Sequence, residues 1–275
     1  MIAEIGINHN GSVENARKLI DIARMYDCDY VKFQKREIDL VYTQEFLAEP
    51  RESPWGTTQR EQKEALELGR EDYLEIDGYC KEVGIGWFGS AWDMNSLDFL
   101  TQFDCDHNKI ASAMLTHRPF VEAVASLGKH TFISTGMSTL DDVDKVVELF
   151  RQKGCEFTLM HSVSTYPTPP DKTNIAVMLS LRRRYNCRVG YSGHESTTIP
   201  TMLAAALGAD AIERHITLDR AMYGSDQAAS LEGRGLQVIT KFIRGIEAAY
   251  GTGEKTLDED EVAVARKLRY FESSP

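Results

Sequence analysis

Eight short β-like runs, at residues 2–7, 30–34, 85–90, within 105–112, 131–134, 157–161, 188–191 and 211–216, alternate with segments of helical spacing. This alternation limits the fold more than any other feature. Parallel strands need long crossovers, usually helices, and eight such units are the count of a closed (β/α)8 TIM barrel, an α/β fold of about 250 residues. Helical spacing is clearest at 13–25, where Ala16, Leu19, Ile20 and Ala23 share one face, and recurs at 70–83, 94–103, 119–127, 140–152, 174–184, 198–207 and 232–250. The expected organisation is a barrel over 1–250 and a tail over 251–275, charged at Asp258-Glu259-Asp260-Glu261 and weakly helical to Tyr270. Residues 36–69, with Pro50, Pro54 and Gly56, are too many for a plain crossover, so they predict a lid or small helices of their own.

At 275 residues, with 42% hydrophobic and 27% charged residues, the chain is long enough for one large core and has no apolar run of membrane-spanning length. A net charge of -11 argues against a nucleic-acid or anionic-membrane surface, so any phosphate ligand must be held by a local cluster. Cys28, Cys80, Cys105, Cys155 and Cys187 are odd in number and form no C-x-x-C pair. They fit reduced, buried thiols in a cytoplasmic protein, and the N-terminal residues show no secretory leader.

Active sites of such barrels lie at the C-terminal ends of the strands. The polar residues closing the eight runs are Glu4; Lys32; Ser90; Lys109 and Ser112; Ser134 and Thr135; His161, Ser162 and Ser164; Ser192 and His194; Glu213 and His215. The runs at 188–191 and 211–216 flank one helix as a βαβ unit, so parallel pairing would turn His194 and His215 toward the same space. Two neutral imidazoles make half of a divalent metal site, although two ordinary loop histidines read the same way. Lys32 and Lys109, with Ser112, Ser134 and Ser192, suit a small phosphorylated acid, because like charges in one dry mouth repel unless an anion is present. Glu4 and Glu213 remain to guide protons. No G-x-G-x-x-G follows a strand, and the serine of Ser134-Thr135-Gly136 lacks the G-x-S-x-G context of a nucleophile elbow.

The motifs A-E-I-G-I-N-H-N-G at 3–11, V-K-F-Q at 31–34, K-I-A-S at 109–112, S-T-G-M at 134–137, Y-P-T-P at 166–169, G-Y-S-G-H at 190–194 and E-R-H-I-T at 213–217 resemble, in order, the sialic acid (N-acetylneuraminate) synthase family. The resemblance implies a TIM barrel that condenses phosphoenolpyruvate with an N-acylated aldose, giving a nonulosonic acid and phosphate, with manganese or magnesium as cofactor. It implies that His194 and His215 ligate the metal, and that Lys32, Ser90, Lys109, Ser112, Ser134, Ser164 and Ser192 hold phosphoenolpyruvate. Glu4 matches the catalytic carboxylate, Glu213 a second acidic residue, and Asp226 a sugar contact; Tyr166 and Gln34 match motif positions without a defined role.

The resemblance covers the catalytic barrel and not the antifreeze-like C-terminal domain many relatives carry, nor their N-terminal hairpin. The resemblance also implies a homodimer, and the uncovered domain leaves room for a separate antifreeze-like domain protein as partner. Ser90 and Ser164 stand where relatives can carry Thr and Asn. Two other readings remain open: a 3-deoxy-sugar-acid synthase using a phosphorylated aldose, and a non-catalytic ligand-binding barrel. A basic cluster for an acceptor phosphate would favour the former, and none is visible in the sequence.

Overall fold

A computed structural model describes residues 1–269 and 271. Eight parallel strands close a barrel in sequential order: β1 (Ile2–Gly6), β2 (Tyr30–Lys35), β3 (Gly86–Ala91), β4 (Asn108–Ile110), β5 (Thr131–Ser134), β6 (Phe157–His161), β7 (Arg188–Gly193) and β8 (Ile212–His215), with β8 pairing back onto β1. The TIM barrel expected from the alternation is therefore present. The fourth strand is three residues long, because pairing covers only the centre of its apolar run.

Helices fill the crossovers as the apolar spacing requires. Leu140–Lys153 starts from a capping box between Thr139 and Asp142, buries Val143, Val146, Val147 and Phe150, and stops at Gly154 in the left-handed conformation. The β2 excursion contains three short helices, Ile38–Val41, Gln44–Ala48 and Gln59–Ala65, and an antiparallel hairpin of Pro50–Ser53 with Gly56–Thr58. No helix among the described residues is long and apolar enough to cross a membrane.

The chain divides into two compact units, Met1–Ile243 and Arg244–Pro275. This boundary lies inside the helix Gly233–Tyr250, ahead of the sequence boundary at residue 250, because only its first half buries side chains, Leu236, Ile239 and Thr240. In the second unit, Asp258 caps a helix at Glu259–Leu268. Tyr270, where the expected tail helix ends, lies outside the described residues.

Strand register sets the level of the site. Glu4 of β1 is in register with Lys32 of β2 and His215 of β8, Gln34 with Ser90 of β3, Ser90 with Lys109 of β4, and Ser192 of β7 with Glu213. On β8, side chains alternate across the sheet: Glu213 and His215 line the mouth, while Arg214 between them is fully buried on the other side. Its guanidinium meets Glu195 Oε1 at 2.9 Å, Thr201 Oγ1 at 2.7 Å and the Thr197 carbonyl at 3.0 Å. Replacing Arg214 with alanine would strand Glu195 without its counterion, an expected loss of about 3–5 kcal/mol. Urea denaturation measures this directly, and a loss below ~1 kcal/mol would contradict it.

Candidate active site

A cavity of about 180 Å³ opens at the C-terminal ends of the strands. It is lined by Glu4, Lys32, Ser90, Lys109, Ser112, Ser134, Ser164, Ser192, His194, Glu213 and His215, so every strand contributes through itself or the loop that follows. Asp226 lies beside this group, its Oδ2 3.7 Å from His215 Nδ1. The structure thus gathers the twelve residues to which the resemblance assigns a role, whereas Thr135, His161 and Ser162, which also close strands, line a neighbouring cavity, and His161 Nε2 lies 2.8 Å from the Thr173 carbonyl. Gln34, Trp92, Ala111, Ala113, Met137 and Tyr166 complete the lining of the mouth.

The floor is an ionic network. Glu4 lies between Gln34, whose Nε2 donates to Oε1 at 2.7 Å, and Lys32, whose Nζ is 2.8 Å from Oε2. Glu213 Oε2 accepts from Lys109 at 3.0 Å, while its Oε1 accepts from Ser192 Oγ at 3.1 Å and lies 3.5 Å from Lys32 Nζ. The two carboxylates, both lysines and Ser192 are almost wholly buried. Burial opposes ionisation of Glu213, yet Lys109 and Lys32 hold its carboxyl down at about 2. Burial also opposes the Lys32 charge, but Glu213 and Glu4 outweigh it and raise its pKa; at Lys109 burial wins and the ammonium falls below its ordinary range. Glu213 is therefore the internal counterion of two lysines. It supplies the negative charge that the sequence argument assigned to a ligand.

Gly6 makes this close approach feasible. It has φ +54° beyond a register shift in β1, and a Cβ there would lie 3.0 Å from Glu4 Oε1 and 3.1 Å from Gln34 Nε2.

At the edge of the mouth, three hydroxyls converge on Gly136, two of them from Ser112 and Ser164 of the lining and one from Ser162 of the neighbouring cavity. A Cβ at that position would lie 2.4 Å from Ser164 Oγ, 2.7 Å from Ser112 Oγ and 2.9 Å from Ser162 Oγ. The Gly136 N–H donates to Ser162 Oγ at 3.1 Å, and Ser162 lies 3.2 Å from Ser112 Oγ. Hydroxyl donors around a bare backbone form a cradle suited to an anionic oxygen.

The histidine pair closes the β7–β8 side, with ring centroids 5.5 Å apart. His194 Nδ1 is 2.7 Å from the Val163 carbonyl, which can only accept, so the proton is on Nδ1 and Nε2 carries the lone pair. The Tyr166 hydroxyl donates to that lone pair at 3.0 Å. Desolvation together with the Asp226, Glu4 and Glu213 carboxylates pushes the Tyr166 hydroxyl up, keeping it a donor. Burial, with His215 beside it, pulls His194 down to about 3, so it is neutral at physiological pH.

The pair passes a simple test for a cation site. His194 offers a neutral nitrogen with a fixed lone pair, and the buried His215 Nδ1 has no hydrogen-bond partner. Among the described residues no group of three or more His, Cys, Asp or Glu side chains is assembled to hold a metal ion. A cation at this pair would therefore find two imidazoles as its protein donors, and any further positions would fall to oxygen ligands.

The NeuB family profile matches residues 19–255. The chain belongs to the NeuB family. It is 40% identical over 247 residues to N-acetylneuraminate-9-phosphate synthase of Drosophila melanogaster, a match covering 88% of this chain and 66% of that protein. It is 33% identical over 267 residues to N,N'-diacetyllegionaminic acid synthase of Campylobacter jejuni, covering 95% of this chain and 80% of the relative. This NeuB barrel also superposes on the crystal structure of N-acetylneuraminic acid synthetase from Leptospira borgpetersenii with a TM-score of 0.85 and 26% identity, covering 98% and 91% of the two chains. The chain therefore spans about two thirds of the fly protein's length.

Some contributions escaped the sequence reading. Gln34 matches a motif position without a defined role, yet it stands two residues beyond Lys32 on one strand, where period two puts both on the same face. Gly136 could not be singled out, because its importance lies in three hydroxyls from other loops.

Proposed function

We propose that this chain condenses phosphoenolpyruvate with an N-acyl hexosamine-type aldose to give a nonulosonic acid and inorganic phosphate. The observation that carries this reading is a single mouth combining two buried lysines, the hydroxyls of five serines and an imidazole pair. Membership of NeuB supports it, as do the names of the relatives.

Lys32 and Lys109, with the hydroxyls of Ser90, Ser112, Ser134, Ser164 and Ser192, hold the donor's phosphate and carboxylate. A divalent cation, manganese or magnesium, when held by His194 and His215 supplies Lewis-acid polarisation of the acceptor's aldehyde oxygen. The enol carbon forms the new C–C bond to the aldehyde carbon, which leaves positive charge on the carbon bearing phosphate. Glu4 faces that charge and takes the proton of the water that adds there. Breaking the C–O bond to phosphate, with the proton of the new hydroxyl leaving on the phosphate, then gives the keto acid, and the proton taken by Glu4 ends on the former aldehyde oxygen. Gln34 holds Glu4 in place, and Asp226 contacts the acceptor sugar.

Phosphate release from phosphoenolpyruvate with manganese and a panel of N-acyl hexosamines tests the reading; silence with all of them would count against it. The cradle gives a sharper test. Gly136→Ala pushes a methyl group into three hydroxyls and is expected to raise KM for phosphoenolpyruvate about tenfold, an overpacking cost of roughly 1–3 kcal/mol. An unchanged KM would place the phosphate elsewhere.

A further inference from the structure

The loop that follows β8 carries Asp226 and is closed at its base. There the Thr217 N–H donates to the Leu231 carbonyl at 2.9 Å, and the Leu231 N–H donates to the His215 carbonyl at 2.8 Å. Compact loops whose ends meet in this way are frequently functional. Its inner side is tied to the turn after β1: Asn8 Nδ2 donates to Ser230 Oγ at 2.7 Å, Ser230 Oγ donates to the Asp226 carbonyl at 2.7 Å, and Asn10 Nδ2 donates to the Tyr223 carbonyl at 3.0 Å. The tip has a swivel built in, since Gly224 sits at φ +151°, a conformation that favours glycine.

The Asp226 carboxylate depends on that tip. Ser225 Oγ, its own neighbour, donates to Oδ1 at 2.7 Å, while Oδ2 stands 3.7 Å from His215 Nδ1, too far for a hydrogen bond. The outer side of the tip is gripped through the Tyr223 ring. Arg51 Nε donates to its hydroxyl at 3.2 Å, that hydroxyl donates to the Glu52 carbonyl at 3.2 Å, and Trp55 packs edge-on with centroids 5.6 Å apart. All three partners belong to the hairpin at residues 50–58 in the excursion after β2. The excursion is anchored in its turn: Arg36 Nε meets Glu67 Oε1 at 2.8 Å, Arg36 Nη1 is 3.5 Å from the Tyr42 hydroxyl, and Lys63 Nζ lies 5.4 Å over the Tyr42 ring. An anchored arm from one crossover thus holds the tip of another loop.

We propose that Arg51 is a positioning residue for the acceptor: by fixing the Tyr223 hydroxyl it holds the loop tip so that the Asp226 carboxylate faces the sugar beside His215. The proposal rests on the synthase reading above, which gives Asp226 that contact. Arg51 meets a phenol and takes no part in the cavity lining, so it acts through the loop. The hydroxyl accepts from Arg51 and donates to Glu52, which fixes it from two sides, and the edge-on indole sets the plane of the ring. Released from this grip, the tip would turn about Gly224 and carry Asp226 from its place. The acceptor would lose a contact, while the lysines and serines assigned to phosphoenolpyruvate stay where they are.

Steady-state kinetics test it, with phosphoenolpyruvate, manganese and whichever N-acyl hexosamine of the panel above turns over best. Arg51→Gln and Tyr223→Phe should each raise KM for the sugar about fivefold, leaving KM for phosphoenolpyruvate within about twofold of wild type. Because Arg51 acts through Asp226, adding Arg51→Gln to Asp226→Asn should change the sugar KM no further, whereas independent sites would add. A further loss of about fivefold in the double variant, or a parallel rise in both KM values, would overturn the proposal. Hydrogen exchange gives a readout that needs no turnover. In Arg51→Gln the Met222, Ala229 and Ser230 amides, which donate within the loop at 3.1 Å, should exchange about fivefold faster while strand amides keep their wild-type rates. Unchanged exchange in the loop would overturn the clamp, and faster exchange with an unchanged sugar KM would overturn the positioning role. Faster exchange in a protein whose wild type turns over no N-acyl sugar would support the clamp and count against the synthase reading.

Discussion

Glu213→Ala is expected to cost about 3–5 kcal/mol of folding stability as well as activity, because it leaves two buried lysines without their shared counterion. Glu213 Oε2 is 3.0 Å from Lys109 Nζ, and Oε1 is 3.5 Å from Lys32 Nζ. Glu4 still pairs with Lys32, so the damage falls mainly on Lys109, whose charge burial already disfavours. Denaturant titration reads the loss. A second readout separates this electrostatic account from simple packing damage: phosphoenolpyruvate should raise the Tm of the variant more than that of the wild type, because the ligand now supplies the missing charge. A loss below ~1 kcal/mol, or equal ligand stabilisation in both proteins, would refute the counterion role.

His194→Ala and His215→Ala are each expected to lower kcat/KM by roughly a thousandfold, since a Lewis acid supplies several kcal/mol of charge stabilisation and each ~1.4 kcal/mol is a factor of ten. Both variants should also lose manganese affinity, measured by titration of the purified protein. Chelation of wild type should abolish phosphate release, and added manganese should restore it. Retained metal binding in both variants would move the ligands elsewhere, and a chelated enzyme at full rate would end the case for a metal. Tyr166→Phe is informative beside them: it removes the donor at 3.0 Å from His194 Nε2 while the Val163 carbonyl continues to fix the proton on Nδ1. Its manganese affinity should stay within about threefold of wild type, because the lone pair is preserved.

Much of this site could be read from sequence because the barrel reduces a three-dimensional question to a one-dimensional one. Strands end where apolar runs end, all eight ends face the same way, and most of the closing polar residues therefore share one mouth, Thr135, His161 and Ser162 lining the cavity beside it. Glu4, Lys32, Lys109, His194, Glu213 and His215 followed from that rule. Partnerships did not. That Glu213 serves both lysines depends on strand register and side-chain reach, and identity alone suggested a proton-handling acid. Arg36, Arg51 and Lys63 are spread along an excursion without regular period, so their approach to Tyr42 and Tyr223 depends on how its hairpin and short helices fold. The resemblance to sialic acid synthases compressed many of these relations into motif positions, and membership of NeuB agrees with it.

Strand β8 carries a safeguard of another kind. Its order Glu213, Arg214, His215 means that sliding the strand by one position would turn a guanidinium into the reaction chamber and bury two working side chains beneath the helical layer. The clasp of Arg214 by Glu195, Thr197 and Thr201 rewards only one alignment, since a shifted strand would give up those hydrogen bonds and leave Glu195 charged without its counterion. A residue that touches no substrate thus acts as a proofreader of assembly, making the mis-set barrel a high-energy state rather than a near-degenerate competitor.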